Sequence, residues 1–304
     1  VPFPAITPPT GVGDLPEPVY GEPYEDAQAS LRGLLMDPRA GSVVRLMRMS
    51  WYGIRAMRAE DVERSGMHGV WTGTDLLPEV QVPMTLRVAA RSHAAAHHLL
   101  ARVTAAFAPA AEPVPLLYRI GGTTYMRWGK PRLLDPDTRW MGAGASTIEA
   151  GFVATDPAYY EHRTVRQTAE LPAPGTGIAP PLTPPLALPD RPGGGVVLAT
   201  NRGTWPTSPF LQFTGPWRTP GVATAGWRLS WDLDLMPGQV LTVDTAAGAA
   251  YLGTPDASRP PAAGSDVVAR CTLPPGTTRL RLTGAAPDPA ALPQLAAEWR
   301  HAYL

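Results

Sequence analysis

The sequence predicts a mainly β protein with one covering helix, arranged as two domains, and three observations carry that expectation. Short stretches of alternating apolar and polar residues recur, as in Leu229-Ser230-Trp231-Asp232-Leu233-Asp234-Leu235. Turn-forming pairs such as Gly121-Gly122 and Pro237-Gly238 punctuate them. One long segment, opening at Ser92, has the spacing of an amphipathic helix instead.

The elements follow in order. Residues 1–23 are proline-rich without periodicity and predict an extended arm. Residues 24–170 form the N-terminal domain. There Val82, Met84, Leu86 and Val88 alternate with Thr85 and Arg87, which marks a half-buried strand. Ser92 then caps a helix through Phe107, with Ala96, Leu99, Leu100, Val103 and Phe107 on one face and His98 and Arg102 away from it. Leu116–Ile120 and Thr123–Trp128 flank the Gly121-Gly122 turn of a hairpin. Thr147–Thr155 supplies a further strand.

The segment 171–195, LPAPGTGIAPPLTPPLALPDRPGGG, cannot be helix or central strand because so many amide donors are missing. It predicts a semi-rigid linker. Residues 196–285 then predict an antiparallel β-sandwich. Leu211 and Phe213, Leu229 to Leu235, Leu241 and Val243, and Leu280 and Leu282 give its alternating strands. The lone cysteine, Cys271, is expected as a small core side chain in a strand over 267–273. The tail, 286–304, is compatible with one short helix from Pro289.

Composition narrows the function classes. The 304 residues carry 26 basic and 26 acidic side chains, a net charge of zero, which argues against a nucleic-acid-gripping role. No apolar run reaches the length of a membrane-spanning helix. Val1-Pro2-Phe3-Pro4 lacks the basic and apolar regions of a signal peptide, so neither export nor membrane insertion is expected.

Candidate chemistry is sparse. His93 and His97, four apart with His98 beside them, would stack on one helix face, but no glutamate of the zinc-protease spacing and no third ligand accompany them. Asp232 and Asp234 are paired carboxylates roughly 6.5–7 Å apart on a strand, near the separation that inverting glycosidases use. The plainer reading is an outward charge ladder with Arg228, Arg279 and Arg281. Gly142–Thr147 lacks the lysine of a phosphate loop, and no serine sits in a nucleophile elbow. No enzyme, cofactor or metal is expected. Trp205 and Trp217, in proline-rich turns, are candidate surface contacts that could stack on a sugar or on a protein partner.

Three stretches together resemble the distal tail (Dit) proteins of long-tailed phages, or siphophages. The first is Met67-His68-Gly69-Val70-Trp71-Thr72-Gly73 with the strand and helix that follow. The second is Phe152 to Tyr160, with Asp156, Pro157 and Tyr160 at a strand exit. The third contains Gly203 to Pro209, Gly215-Pro216, Leu241 to Thr245 with Asp244, and Leu273 to Thr277. The resemblance covers about residues 43–285 and rests on order and spacing rather than on any one motif.

The resemblance implies a β-barrel or sandwich-like N-terminal domain of the tail-tube type and a galectin-like or immunoglobulin-like C-terminal sandwich. It also implies a structural virion protein, assembled in the host cytoplasm. Such a protein forms a homohexameric ring at the tail tip, or baseplate, that joins the tube to the hub and lets DNA pass. The implied partners are other copies of itself, the tail tube protein, the hub protein and the tape measure protein. The alternative is a carbohydrate-binding module that recognises a host surface glycan.

Overall fold

The computed structural model describes residues 21–52, 57–172, 195–253, 258–288 and 292–304. The expected arm and linker fall almost wholly outside them. The chain divides into two compact units, Val1–Tyr159 and Tyr160–Leu304.

The first unit opens on a hairpin of β1 (Ala29–Leu31) and β2 (Leu34–Met36). Leu31 lies opposite Leu34, so Arg32 and Gly33 alone make the turn, both with positive φ, 49° and 82°. That mirror-image turn matches the twist of paired strands. Then come β3 (Val44–Met49), the short strands β4 (Arg58–Ala59), β5 (Val62–Glu63), β6 (Val70–Trp71) and β7 (Asp75–Leu76), and the long β8 (Val80–Ala89). The helix α1 (His93–Ala106) leads to β9 (Val114–Ile120), β10 (Thr123–Asp137) and β11 (Ala145–Ala154).

Seven of these strands form one curled, half-barrel sheet in the order β2-β1-β9-β10-β11-β8-β3, antiparallel throughout. Alternation decides which face is covered. Val80, Val82, Met84, Leu86 and Val88 of β8 are buried, while the residues between them are exposed or half-exposed.

Helix α1 covers part of this sheet, packed against β8, β11 and β2. Ser92 Oγ accepts the Ala95 N–H at 3.2 Å, satisfying one of the free amides of the first turn. Ala95, Ala96, Leu99, Val103 and Ala106 form the buried stripe. Burying Leu99 or Val103 stabilises the unit by about 1.5–3 kcal/mol each. At the far end the Arg32 guanidinium donates to Ala108 O at 2.9 Å, tying the tight β1–β2 turn to the helix C-terminus.

The second unit contains β12 (Tyr159–Glu161, on the division), β13 (Val165–Glu170), β14 (Val196–Asn201), β15 (Phe210–Thr214) and β16 (Trp217–Ala223). They are followed by β17 (Arg228–Ser230), β18 (Asp234–Leu235), β19 (Val240–Asp244), β20 (Ala249–Leu252), β21 (Gly276–Ala285), β22 (Gln294–Trp299) and β23 (Ala302–Tyr303). Two antiparallel sheets result, β13-β22-β15-β19-β20 and β14-β21-β16-β17, with β18 pairing with β16. Leu211, Phe213, Leu241, Leu295 and Trp299 from one sheet meet Val197, Val222, Leu229, Leu280 and Leu282 from the other in a single core.

Four local expectations are corrected. The helix foreseen over 289–304 is instead β22 and β23. Leu295, Ala297 and Trp299 repeat with period two, and β22 pairs on both sides, with β13 and β15. Pairing and burial override the helix preference of the alanines. Residues 165–170, assigned to the N-terminal domain, are an edge strand of the second unit.

Cys271 is fully buried as expected, but it follows the 3-10 turn Val268–Arg270 rather than sitting in a strand. Burial pushes its thiol up to about 11. The strand expected over Leu229–Leu235 is broken into β17 and β18, because Trp231 N–H bonds to Pro220 O and Thr219 N–H to Leu233 O across the interruption. The charge ladder dissolves with it. Asp234 lies opposite Arg218, whereas Arg279 and Arg281 lie opposite Leu198 and Val196.

Candidate functional site

The most exposed feature of the first unit is an arm that the sequence hides among ordinary turn residues. Between residues 57 and 79 the chain runs out and back, with Arg58 opposite Leu76 and Val62 opposite Trp71. At its tip Met67 N–H bonds to Arg64 O at 3.3 Å and Arg64 N–H to Gly69 O at 3.2 Å. Gly69 has φ +92°. A side chain at Gly73 would sit 2.0 Å from Glu60 O, so only glycine allows the two strands to approach there. The Gly73 N–H donates to Asp61 Oδ1 at 2.9 Å.

Among the described residues neither short ladder joins a third strand. An isolated two-stranded ribbon is marginal in water. This one nevertheless carries Met57, Val62, Met67, Val70, Trp71 and Leu76 in exposed positions, with Met67 66% and Trp71 60% accessible. The Arg64 guanidinium stacks on the Trp71 ring at 4.3 Å, which holds that indole in place. A preorganised set of apolar side chains that the other described residues leave exposed is the mark of an interface.

The root of the arm is rigid by contrast. Trp51 is buried, with its ring 5.3 Å from Tyr118 and 6.0 Å from Tyr159. Arg127 from β10 is buried beside them, its guanidinium 5.3 Å from the Trp51 ring and 4.9 Å from the Tyr159 ring. It donates to Pro157 O at 2.8 Å and to Trp51 O at 3.4 Å. Burial disfavours its charge, an effect that Tyr159 and Asp156 partly oppose. A guanidinium does not give up its proton under such conditions, so the cation persists and clamps the chain at Trp51 and Pro157.

The residues quoted for the resemblance fall at bends rather than in one site. His68 and Gly69 form the arm tip and are exposed. Asp156 Oδ1 accepts the Ala158 N–H at 2.9 Å, and Pro157 supplies the carbonyl held by Arg127. Tyr160 is half-buried on β12. Gly215-Pro216 is a cis peptide, and a side chain at Gly215 would come within 2.3 Å of Met236 O. Asp244 Oδ1 accepts the Ala247 N–H at 3.0 Å, and Thr245 Oγ1 donates to Pro209 O at 2.7 Å.

Other candidates are relocated. Trp217 is fully buried, against the expectation of a surface contact. Its ring lies 5.4 Å from Phe213, and its Nε1–H donates to Thr283 O at 3.0 Å. Trp227, Trp231 and Trp299 likewise donate to the carbonyls of Thr272, Arg259 and Thr200. Four of the five tryptophans of this unit are core, each of the four with its one polar atom satisfied. Trp205 is half-buried.

His93 Nδ1 meets Met141 O at 2.9 Å, and His97 and His98 face solvent on α1. Among the described residues no three His, Cys, Asp or Glu side chains are grouped to hold a metal. Asp232 and Asp234 are exposed.

Sequence reasoning missed three organising features: the arm, Arg127 and Asn201. Asn201, the only asparagine, is buried and uses its whole amide. It donates to Trp205 O (2.8 Å) and Leu273 O (3.2 Å), and accepts from Gly203 N–H (3.0 Å) and Ala302 N–H (3.3 Å). Its solitary occurrence was the available signal.

No protein-family model and no curated protein sequence matches the chain. Solved structures do. The SPP1 Dit protein (gp 19.1), described as a paradigm of the hub adsorption apparatus in phages infecting Gram-positive hosts, matches with a TM-score of 0.59 at 12% identity. That likeness covers 86% of this chain and 94% of the other. A chain of the phage P2 baseplate, in its activated conformation with Ca, matches with a TM-score of 0.51 at 12% identity, covering 92% and 99%. Both units are therefore accounted for by one known architecture, and the fold of this chain is that of the phage Dit proteins.

Proposed function

We propose that the protein is a structural subunit of a phage tail tip that assembles with copies of itself into a closed ring of about six. One observation carries this reading: the arm at 57–79 offers an ordered set of exposed apolar side chains that the other described residues leave uncovered. In a ring each subunit presents one surface and receives another, so an arm on one copy and its receiving face on the next is the heterologous contact that closure requires. The Dit-like fold supports the same reading. The ring joins the tail tube protein to the hub protein, meets the tape measure protein, and lets DNA through. A chain of zero net charge suits a lumen that must not hold DNA. Its place is the virion, after assembly in the host cytoplasm, and its role is structural rather than catalytic.

The test is the mass of the purified chain by light scattering, with negative-stain images of the same peak. Closed particles of about six subunits with a central hole are expected. A chain that stays monomeric alone and in the presence of tube and hub proteins contradicts the reading. The carbohydrate-binding alternative loses one of its two candidate contacts, because Trp217 is buried, while Trp205 is half-buried.

A further inference from the structure

The second unit holds a polar concavity of about 450 Å³, within the size range of small-ligand sites. Glu161, Arg163, Arg166, Thr200, Arg202 and His301 are among the residues that line it. Three guanidinium groups at one concavity in a chain of zero net charge need an account. Arg166 has one: its Nη1 lies 3.1 Å from Glu298 Oε1. The guanidinium groups of Arg163 and Arg202 make no ion pair or hydrogen bond among the described residues.

His301 is only 5% accessible, and its Nδ1 accepts the Arg202 N–H at 3.1 Å. In the neutral ring that bond leaves the hydrogen on Nε2, a second type of donor at the same wall. Glu161 is occupied by the Tyr303 hydroxyl at 2.6 Å. Three arginines against Glu161 and Glu298 leave a surplus of one positive charge.

We propose that this concavity binds a singly charged oxyanion, a phosphodiester or carboxylate group. Planar guanidinium forks match such groups with paired hydrogen bonds. A nucleic-acid backbone fits less well. The surplus is one charge rather than a track of cations, and the Trp299 ring at the concavity is buried and bonded to Thr200 O, so it offers no stacking platform. The anion site rests on the concavity alone and not on the assembly reading above.

Calorimetric titration of the full chain at low ionic strength separates the two anionic groups. The probes are diglycerol phosphodiester, methyl glucuronide, neutral methyl glucoside and a short thymidine oligonucleotide. Saturable binding of the phosphodiester identifies a polyol-phosphate source, and binding of the glucuronide a uronic-acid source. Either supports the proposal if methyl glucoside does not bind and if Arg163→Gln/Arg202→Gln weakens the anion by about tenfold or more. Both arginines are exposed and free of protein bonds, so an unchanged melting temperature in the double variant is expected and excludes unfolding as the cause. Binding of neither anion, equal binding by the double variant, or binding of the oligonucleotide alone overturns the proposal. Ring formation is read separately, so failure here leaves the assembly reading standing and the reverse also holds.

Discussion

The arm of the first unit and the core of the second are both built from short strands, yet they dispose of their apolar side chains in opposite ways. In the second unit Leu211, Phe213, Leu229 and Leu241 find the facing sheet, and four tryptophans anchor their polar atoms on carbonyls. In the arm Met67, Val70 and Trp71 stay exposed, with no facing sheet to cover them among the described residues. Alternation therefore reports that a strand has an apolar face; it does not report whose surface covers that face. Where the cover is intramolecular the residue contributes to folding, and where it is not the residue contributes to assembly.

That contrast can be broken most severely in the second unit. Trp217→Ala empties a fully buried site and is expected to cost about 3–5 kcal/mol, seen as a much lower denaturation midpoint. Asn201→Ala follows, at about 2–4 kcal/mol, because two backbone N–H groups and two carbonyls lose their partners together. Loss of under about 1 kcal/mol at either position, measured by urea denaturation, would show that this core is not the stabilising element described.

The first unit gives intermediate effects. Arg127→Ala removes the clamp at Trp51 and Pro157 and is expected to cost about 2–3 kcal/mol, with loosening of the arm's root visible as faster amide exchange near Trp51. Asp37 supplies a pH signature. Its carboxylate is held at about 2, below its ordinary 3.8, chiefly by hydrogen bonds from the Arg39 side chain and also by Gln28. A lowered folded-state value stabilises above the ordinary range, and the contribution fades as pH falls from about 4 towards 2. Asp37→Asn should flatten the stability profile in that window; an unchanged slope would remove Asp37 from the account.

The smallest effect on folding belongs to the arm. Trp71→Ser should change the stability of the isolated chain by less than about 0.5 kcal/mol, since the ring is exposed and touches mainly Arg64. The same substitution should abolish self-association. Ring formation by the variant at wild-type concentration would place the interface elsewhere.

Much of the fold was legible. The Ser92 cap, the stripe from Ala96 to Phe107, the Gly121-Gly122 hairpin and the alternation of β8 each follow from local chemistry and appear where expected. What was not legible depends on distant partners. Residues 294–299 read as helix-compatible because alanine favours helix, and only pairing with β13 and β15 makes them a strand. Trp217 sits in a proline-rich turn sequence, but its ring packs on Phe213 and its Nε1–H bonds to Thr283 O, 66 residues away, which draws it inside. The arm was visible as turn residues, Gly66, Gly69 and Gly73, while the absence of a covering sheet among the described residues depends on where the distant strands lie.

The measurement that reaches the central claim most directly is photocrosslinking from position 71, with benzoylphenylalanine in place of Trp71. Crosslinks are expected between copies of this chain, forming a ladder that stops at the ring size, with the attached peptide drawn from outside residues 57–79. Crosslinks confined to a single chain, under conditions where the protein is assembled, would contradict that claim.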